Sequence, residues 1–393
     1  MSPIKVGIMG AGFAADFHAH AYRRLGHLDV ELVAVAATSM ESARAFCRRH
    51  HVPRAFDSAE ALLACDEIDL VDLSVPNALH EPLAIAAANA GKHIICEKPL
   101  TGYFGGPDAA SPVGHTPKSI MRREAIASAQ RILDAVERNG IKCMVAENWL
   151  YSPPIVKAAR LARASGGTIM EIRARECHSG SHARYAKDWA QAGGGAILRL
   201  ASHPICAALW FKQQEGVQRD GAPIGVASVT AEMGDLSRVP SFLQEAPHHM
   251  VDDWHDVENW ATVLLTFGDG TRAVIQASDI VLGGMEDTLD LLLSNCRIKC
   301  DLTHSGAVRA FAPTGDVFAD EYIMEKVSTK AGWSYPSFDE EYLLGYPQEI
   351  EDFVQCVVSD REPRSTARLG LDVVRVIYAA YQSAEEGRRI DLA

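Results

Sequence analysis

The sequence predicts an α/β protein with two domains: an N-terminal doubly wound parallel sheet, and a C-terminal α/β domain with a large, mostly antiparallel open sheet. Three observations lead to this prediction. A glycine-rich turn follows the first apolar strand, short apolar strands alternate with helices up to residue 146, and longer strands of alternating polarity dominate the rest. The length of 393 residues also exceeds that of one ordinary domain.

The N-terminal part alternates regularly between buried strands and helices. The predicted strands cover residues 5–9, 31–36, 70–75, 93–96 and 142–146. The predicted helices between them cover residues 14–25, 41–50, 82–90 and 122–138. Because these strands are apolar almost throughout, both faces of their sheet must be covered, which is typical of parallel strands joined by helices.

A long irregular segment interrupts this alternation between residues 101 and 119. It is rich in glycine, proline and polar residues, and it shows neither a helical nor a strand period. A loop of this length inside a compact domain is usually functional or disordered, so the segment is a candidate functional element whose role the sequence leaves open.

The C-terminal part changes to longer strands. We predict a helix over residues 155–164, and the predicted strands cover residues 168–176, 261–267, 271–277 and 288–293. Asp269-Gly270 between two of these strands favours a hairpin turn. Helices return over residues 347–359 and 369–386.

These elements divide the chain into two expected domains. Residues 1–146 are expected to form the first domain and residues 147–393 the second. The helices of residues 347–386 are expected to be able to pack across the boundary.

The composition is that of a globular protein with an acidic surface. Hydrophobic residues make up 48% of the chain and the net charge is −13, which argues against nucleic acid and anionic membranes as partners. A pocket can carry its own local charge, so an anionic small substrate stays compatible. No apolar run approaches the ~18 residues of a membrane span, and the N-terminus does not resemble a signal peptide.

The nine cysteines are odd in number, scattered and without a C-x-x-C pair. Cys296 and Cys300 are four residues apart but lack a second Cys/His pair. The histidines and aspartates of residues 248–256 match no known ligand spacing and are interpreted as a solvated loop. We therefore expect reduced thiols, a cytoplasmic protein and no metal site.

The turn after the first strand carries a dinucleotide-binding pattern. The sequence G-A-G-F-A-A over residues 10–15 matches the G-x-G-x-x-G/A fingerprint of Rossmann domains. Gly10 allows the tight turn, Gly12 lets the backbone approach a pyrophosphate, and the helix N-terminus offers N–H groups to the phosphates. The candidate cofactor contacts here are Gly10, Gly12, Phe13 and Ala14.

The end of the second strand leaves the choice between NAD and NADP open. The residues there are Ala36, Ala37, Thr38 and Ser39, with no carboxylate to accept from a ribose hydroxyl and repel a 2′-phosphate. No arginine follows immediately, since Arg44 lies about one helical turn further on. Thr38 and Ser39 are nevertheless expected to contact the cofactor.

Four further motifs identify a family. They are S-V-P-N at residues 74–77 with His80, C-E-K-P-L at residues 96–100, G-G-G at residues 193–195 before His203, and R-E-P at residues 361–363. In this order they resemble the glucose–fructose oxidoreductase, inositol dehydrogenase and rhizopine catabolism family (Gfo/Idh/MocA). The resemblance covers nearly the whole chain.

The resemblance implies a two-domain enzyme that transfers a hydride between nicotinamide and a hydroxyl-bearing carbon of a sugar, cyclitol or sugar acid. It places Lys98 of the E-K-P motif where nicotinamide and substrate meet. There a partly desolvated ammonium can donate to the reacting oxygen and exchange its proton near neutral pH. Asn77 and His80 match family positions on the nicotinamide side, although capping the following helix is an alternative. The expected cofactor contacts of these motifs are Ser74, Pro76, Asn77, His80, Glu97 and Lys98.

The chain departs from the family pattern after the triple glycine. The family carries an aspartate followed four residues later by a histidine; here the histidine is His203, but Arg199 stands at the aspartate position. Residues four apart on a helix share a face, so Arg199 should project beside His203 and favour its neutral, basic form. Arg199 cannot be a base, but it can bind an anionic substrate group with two hydrogen bonds. The alternative is that it pairs with a local carboxylate and the site has lost activity.

Two polar segments are candidates for substrate binding. Residues 176–189 combine histidine, hydroxyl, cationic and aromatic groups, which suit the faces and hydroxyls of a sugar ring, although a solvated loop is the alternative. Residues 147–151 resemble the substrate-side segment of the family. The expected substrate contacts are Arg199, Asn148, Tyr151, His182, Lys187 and Trp189.

The expected function is NAD(P)-dependent dehydrogenation of a carbohydrate-like small molecule, neutral or anionic, with Lys98 and His203 as catalytic residues. One alternative is a redox-neutral NAD-dependent glycosidase that oxidises a ring hydroxyl transiently. Another is a non-catalytic NAD(P)-binding sensor, against which the retained Lys98 and His203 argue. The second sheet is expected to carry helices on one face only, so its open face predicts a homodimer or homotetramer.

Overall fold

The computed structural model of the chain describes residues 3–303, 306–327 and 329–392. The chain forms two compact units. Unit 1 comprises Met1–Tyr103, Arg123–Tyr151 and Gly345–Val374, and unit 2 comprises Phe104–Arg122, Ser152–Leu344 and Arg375–Ala393. Each unit therefore combines segments that are distant in sequence.

The secondary structure alternates between helices and strands along the chain. The helices are Phe13–Arg24 (α1), Met40–His50 (α2), Ala59–Leu63 (α3), His80–Asn89 (α4), Lys118–Asn139 (α5), Pro153–Ser165 (α6), Trp189–Ala192 (α7), Ala196–Arg199 (α8), Ser202–Asp220 (α9), Glu340–Leu344 (α10), Tyr346–Ser359 (α11) and Ala367–Glu386 (α12). The strands are Ile4–Met9 (β1), Val30–Ala36 (β2), Arg54–Phe56 (β3), Leu70–Leu73 (β4), His93–Glu97 (β5), Cys143–Ala146 (β6), Ile169–Cys177 (β7), Val226–Gly234 (β8), Trp260–Phe267 (β9), Arg272–Ser278 (β10), Glu286–Leu293 (β11), Arg297–Asp301 (β12), Ala310–Ala312 (β13), Gly332–Ser334 (β14) and Ile390–Asp391 (β15).

Unit 1 is built on a six-stranded parallel sheet. Its strand order is β3-β2-β1-β4-β5-β6, which is the order of a Rossmann domain. Ile8, Val71 and Ile95 are completely buried, as their apolar strands predict. The predicted doubly wound sheet is confirmed. The short elements β3 and α3 were not predicted from the sequence, because segments of three and five residues are too short to show a periodic pattern.

The topology of unit 1 brings three loops to one edge of the sheet. Strands β1, β4 and β5 are neighbours, with Met9 paired to Leu73 and Leu73 paired to Cys96. Because parallel strands end at the same edge, the glycine turn after β1, the loop after β4 and the E-K-P loop after β5 lie side by side. This edge is where ligands of such sheets bind.

Unit 2 is built on a seven-stranded mixed sheet of order β12-β11-β7-β10-β9-β8-β15. Among its described strands, β7 and β10 pair in parallel and the other pairs are antiparallel. Strands β9 and β10 form the predicted hairpin, with Gly270 at φ +87 in the turn. The predicted mostly antiparallel sheet is confirmed. Strands β8 and β12 were not predicted from the sequence, although polar and apolar residues alternate along β12 and along most of β8, which is the signal that could have found them.

One face of the sheet in unit 2 is covered by helices. Helices α8 and α9 pack against β7, β9 and β10. Val263 and Leu265 point to this covered face and are almost fully buried, whereas Leu264 between them is 39% exposed. This alternation follows from the two-residue period of a strand with one buried face. Met170 on β7 is 53% exposed at a point where the register of β7 against β11 shifts.

The described helices and the cysteines complete the fold. None of the helices within the described ranges is both long and apolar enough to cross a membrane. All nine cysteines are free thiols.

Candidate active site

The glycine turn of unit 1 leaves room for a phosphate at the start of α1. Gly10 has φ +113, and a Cβ on it would lie 2.0 Å from the carbonyl oxygen of Ser74, so only glycine fits. A Cβ on Gly12 would meet no described atom within 4 Å. Gly12 also precedes α1, whose N-terminus no described side chain caps. The turn therefore fits a pyrophosphate bound by backbone N–H groups.

The other predicted contacts near this turn lie at the surface. Phe13, the first residue of α1, is 64% exposed, and Ala14 follows it. Thr38 and Ser39 are exposed just after β2. The Ser39 hydroxyl accepts a hydrogen bond of 3.2 Å from the backbone N–H of Ser42, so this side chain caps α2.

His80 joins the loops that follow β4 and β5. It is completely buried, with Nδ1 2.8 Å from the carbonyl oxygen of Pro99 and Nε2 3.1 Å from that of Val75. Burial lowers the pKa of His80, which favours a neutral ring that donates to one carbonyl at a time. By bonding to both loops, the ring holds them together at the sheet edge where the cofactor is expected to bind. Beside it, Pro76 is exposed and Asn77 is half-buried.

Behind the E-K-P loop, a buried histidine bonds to two carboxylates. Nδ1 of His18 lies 2.8 Å from Asp72 Oδ2, and its Nε2 lies 3.2 Å from Glu97 Oε1. Glu97 Oε2 accepts a 2.9 Å bond from the backbone N–H of Lys98. Burial lowers the pKa of His18, but Asp72 and Glu97 outweigh it and raise this pKa well above 6.5. These charges favour the protonated ring, which donates to Asp72 and lies within ion-pair distance of Glu97.

Tyr22 and Ser74 complete the bonding of Asp72. The hydroxyl of Tyr22 donates to Asp72 Oδ2 at 3.0 Å, and that of Ser74 donates to Asp72 Oδ1 at 3.0 Å. His18 is not among the site residues predicted from the sequence. Its signal is a polar pair, His18 and Tyr22, spaced four residues apart on the buried face of α1, whose other buried residues are alanines.

Glu349 on α11 adds a further buried carboxyl to this region of unit 1. It is completely buried. Burial raises the pKa of Glu349 well above its usual value; the charges of Glu97, Glu147 and Asp72 add to the rise, and His18 opposes it. The raised pKa favours the protonated form of Glu349, which limits the negative charge around His18.

Asn148 and Tyr151, two of the predicted substrate contacts, are buried in unit 1. The hydroxyl of Tyr151 donates to Asp352 Oδ2 at 2.9 Å and accepts from the backbone N–H of Ser365 at 3.1 Å. The guanidinium of Arg364 lies 4.9 Å from the centre of the same ring. Tyr151 thus ties the end of β6 to the segment around α11.

Arg199, at the end of α8 in unit 2, forms an ion pair with a buried carboxylate. Its guanidinium bonds to Asp279, which follows β10 and is completely buried. The guanidinium also lies 5.1 Å from the centre of the Trp254 ring. His178 Nδ1 lies 3.4 Å from Asp279 Oδ1. Burial raises the pKa of Asp279, while Arg199 and Lys326 oppose the rise. The charge of Arg199 is therefore balanced within unit 2.

His203 lies at the start of α9 and is 7% exposed. The spacing of Arg199 and His203 predicts one helix on which they share a face. The structure differs in that this helix is interrupted at Leu200 and Ala201 and α9 begins anew at Ser202. Pro204 in the first turn of α9 explains the new start, since proline lacks the N–H that would continue a helix from before it.

The predicted sugar-binding segment divides into exposed and buried side chains. His182 is exposed, and the ammonium of Lys187 pairs with Asp253. Trp189 is 2% exposed, and its ring centre lies 4.8 Å from that of Tyr381. Trp189 thus belongs to the core of unit 2, and His182 is the most accessible of the three predicted contacts.

One group of side chains has the composition of a cation site. Ligand atoms of Asp188, His255 and Asp256 all lie within 4.8 Å of one another. However, Asp256 Oδ1 accepts from the backbone N–H of Trp189 at 2.7 Å, and its Oδ2 accepts from that of Gly114 at 2.8 Å. Through these two hydrogen bonds, Asp256 links the irregular segment around Gly114 to the start of α7.

Comparison with known families accounts for both units. Residues 4–109 match the GFO_IDH_MocA profile, described as an oxidoreductase family with an NAD-binding Rossmann fold. Residues 164–392 match the profile of the C-terminal alpha/beta domain of the same family. Together the two matches cover most of the chain.

Two relatives and one solved structure are distant in sequence but match almost the full length of the chain. D-xylose 1-dehydrogenase (NADP(+)) 2 of Haloferax volcanii is 24% identical over 370 residues, which cover 92% of this chain and 92% of the relative. D-apiose dehydrogenase of Paraburkholderia graminis is 22% identical over 395 residues, covering 99% and 89%. The crystal structure of GenD2 from gentamicin A biosynthesis, in complex with NAD, has the same fold with a TM-score of 0.81, 23% identity and coverage of 100% and 97%.

Proposed function

The chain belongs to the Gfo/Idh/MocA oxidoreductase family, and from this membership we propose that it oxidises one hydroxyl-bearing carbon of a neutral sugar or cyclitol. The family activity is NAD(P)-dependent hydride transfer on the CH–OH groups of sugar-like molecules, and the relatives described above are named as sugar dehydrogenases. These names do not favour a redox-neutral glycosidase or a non-catalytic sensor.

The observation that carries the proposal is the place of Lys98. It directly follows β5, at the sheet edge where the glycine turn offers room for a pyrophosphate. NAD or NADP bound there would supply the nicotinamide that accepts the hydride. Lys98 is half-buried, so its ammonium can donate to the oxygen of the substrate and exchange a proton with it.

His203 is the proposed base of unit 2. An imidazole in its neutral form can accept the proton that leaves the hydroxyl during oxidation. His203 is largely buried, which limits its contact with water. Among the other predicted substrate contacts, His182 has the exposure that suits a binding role.

The ion pair of Arg199 supports a neutral rather than an anionic substrate. Asp279 already balances the guanidinium charge, so a substrate carboxylate would have to compete with a buried protein carboxylate. This arrangement supports the interpretation that Arg199 pairs with a local carboxylate. It does not require loss of activity, since Lys98 and His203 are both present.

Steady-state assays test this function. The purified protein is assayed with NAD and with NADP against neutral sugars and cyclitols, each matched to an acid that differs only by a carboxylate. We expect reduction of the nicotinamide with at least one neutral polyol and weaker activity with its matched acid. Activity confined to the acids would refute the neutral substrate, and no reduction with any polyol would refute the dehydrogenase assignment.

We also propose that the open face of the sheet in unit 2 mediates a homodimer or homotetramer. Leu264 is 39% exposed on that face, and exposed apolar side chains on an uncovered sheet often pair with a second copy. Light scattering should report a particle mass of more than one chain, and Leu264→Lys should lower this mass towards that of the monomer. A monomeric wild-type protein at micromolar concentration would contradict this proposal.

The free cysteines support a cytoplasmic location for the enzyme. All nine are free thiols, which persist in a reducing compartment. Fractionation of cells that express the protein should recover it with cytoplasmic markers.

A further inference from the structure

The triple-glycine turn of unit 2 wraps around the carboxylate of Glu258. Glu258 Oε2 accepts a 3.1 Å bond from the backbone N–H of Gly195, and Oε1 accepts a 2.8 Å bond from that of Ile197. The hydroxyl of Tyr381 donates to Oε1 at 2.9 Å. The same hydroxyl accepts from the backbone N–H of Leu198 at 3.2 Å. One carboxylate and one phenol thus organise the turn and the first residues of α8.

This close packing explains why the turn consists of glycines. A Cβ on Gly195 would lie 1.9 Å from the carbonyl oxygen of Glu258, and a Cβ on Gly194 would lie 2.2 Å from the hydroxyl of Tyr381. Gly193 and Gly194 also have φ of +82 and +156. The backbone N–H of Ala196 donates to the carbonyl oxygen of Glu258 at 2.9 Å. The motif is therefore shaped to fit Glu258 and Tyr381.

Helix α8 is fixed at both ends by buried acidic residues. At its start, Glu258 accepts from the N–H of Ile197, where a negative charge is favoured by the helix dipole. At its end, Arg199 pairs with Asp279. Because α8 has only four residues, it has little helical stability of its own and depends on these anchors. His203 follows after Leu200 and Ala201, so the position of α8 determines where α9 and its histidine begin.

We propose that Glu258 is a positioning residue for hydride transfer: by holding the glycine turn and α8, it keeps His203 in the orientation that proton removal requires. This inference rests on the proposed role of His203 as the base. Glu258 does not need to touch the substrate, because its effect passes through the backbone bonds to Gly195 and Ile197.

The ionised form of Glu258 is the form that holds the turn most strongly, because all three groups facing its oxygens are donors. Burial raises the pKa of Glu258 to about 7, although the hydrogen bonds from Ile197, Tyr381 and Gly195 lower this pKa. Lys118, at the start of α5, is a nearby cation whose pKa burial lowers and the charge of Glu258 raises. As the pH rises through about 7, Glu258 ionises: its hydrogen bonds to the turn become charge-assisted, while the burial of the new charge costs the folded protein stability.

Two variants and one control test the proposal. Glu258→Gln keeps the shape of the side chain but turns an amide donor towards the N–H of Gly195. Tyr381→Phe removes one hydrogen-bond donor from the carboxylate of Glu258. Glu232→Gln, which changes an exposed glutamate of β8, is the control. We expect Glu258→Gln to lower kcat about tenfold or more, with cofactor affinity unchanged. The kcat of the wild type should rise with pH through about 7. That rise should be weaker in Glu258→Gln and should move to higher pH in Tyr381→Phe, because the lost donor had favoured ionisation.

Measurements without substrate separate this inference from the proposed function. The infrared carboxyl band of the cofactor-free protein should contain one group that titrates near pH 7, absent from Glu258→Gln and present in Glu232→Gln. Hydrogen exchange at the amides of Gly195 and Ile197 should be faster in Glu258→Gln than in the control.

The outcomes are distinct. If Glu258→Gln has the same kcat, pH profile and amide exchange as the wild type, the positioning role is overturned. If Glu258→Gln does not fold, an unshifted pH profile in Tyr381→Phe would overturn it instead. If the wild type reduces no nicotinamide with any polyol, the proposed function fails, while infrared and exchange data still show whether Glu258 holds the turn.

Discussion

Each unit buries an ionisable group behind a loop that carries candidate site residues, and the two groups behave in opposite ways. In unit 1, His18 bonds to Asp72 and Glu97 behind the E-K-P loop. In unit 2, Glu258 holds the triple-glycine turn through neutral N–H and O–H donors. His18 is completely buried and Glu258 is 6% exposed. The surroundings of the histidine favour its charged form, whereas the pKa of the glutamate lies at about 7.

This difference in pKa shows that, when two groups are similarly buried, the charge of their bonding partners decides whether the charged form is favoured. Burial disfavours the charged form of both groups. At His18, two carboxylates outweigh burial and raise the pKa well above 6.5. At Glu258, the bonding partners are dipoles rather than full charges, so burial prevails and the pKa is about 7. The sensitivity of the enzyme to pH near neutrality should therefore originate in unit 2.

The largest expected effect is loss of stability in His18→Gln. Glutamine can still form hydrogen bonds, but it leaves Asp72 and Glu97 buried without the cation between them. Breaking a buried ion pair in this way typically costs about 3–5 kcal/mol of unfolding free energy. Urea unfolding of the variant, with His27→Gln as an exposed control, measures this cost.

The pH dependence of that loss gives a second readout. Folding raises the pKa of His18, so its contribution to stability is fully present below pH 6.5 and is lost progressively as the pH rises from there through the raised value. The difference in unfolding free energy between wild type and His18→Gln should thus be largest below pH 6.5 and shrink steadily as the pH rises above it. A difference that already disappears at pH 7 would contradict a charged His18.

Glu258 should affect stability in a different pH window. Folding raises its pKa from 4.5 to about 7, so its stabilising contribution is present below 4.5 and is lost as the pH rises through 7. Over this interval the wild type should lose roughly 3 kcal/mol more of unfolding free energy than Glu258→Gln. Urea unfolding at a series of pH values measures the difference, and parallel curves for the two proteins would argue against a titrating Glu258.

Lys98→Ala and His203→Ala should affect turnover rather than stability. We expect each to lower kcat by ~10²-fold or more, the usual scale for a positioned acid or base, and to leave cofactor affinity nearly unchanged. Steady-state kinetics and calorimetric titration measure the two quantities, with Lys157→Ala, on the exposed side of α6, as the control. A variant that keeps wild-type kcat would show that its residue is not catalytic.

The sequence predicts the site of unit 1 better than that of unit 2, for a physical reason. In unit 1 the geometry follows from local patterns, since Gly10, Gly12 and Lys98 stand next to strand ends and parallel strands end at one edge. In unit 2 the deciding contacts are long-range. Arg199 meets Asp279 and the glycine turn meets Glu258, and no local period shows which distant carboxylate will be the partner.

The outcome for Arg199 illustrates this limit. Its residue type and spacing to His203 indicated either an anion-binding role or a local ion pair, and the two could not be separated without knowing where β10 ends. The fold supplies Asp279 at that point. By contrast, the polar pair His18 and Tyr22 was readable from helix spacing alone, although not its two carboxylate partners.

The smallest expected effect is a change in substrate charge preference on removing Arg199. The double variant Arg199→Met with Asp279→Asn removes both charges, so no buried carboxylate is left unpaired. If the pair is structural, kcat/KM should fall by the same factor for a neutral polyol and its matched acid, because α8 is loosened equally for both. If Arg199 instead binds a substrate anion, the acid alone should lose roughly 2–3 kcal/mol of binding, about 30- to 150-fold in kcat/KM. The ratio of the two substrates therefore decides between the roles even when both rates fall, since any loss of positioning cancels in it.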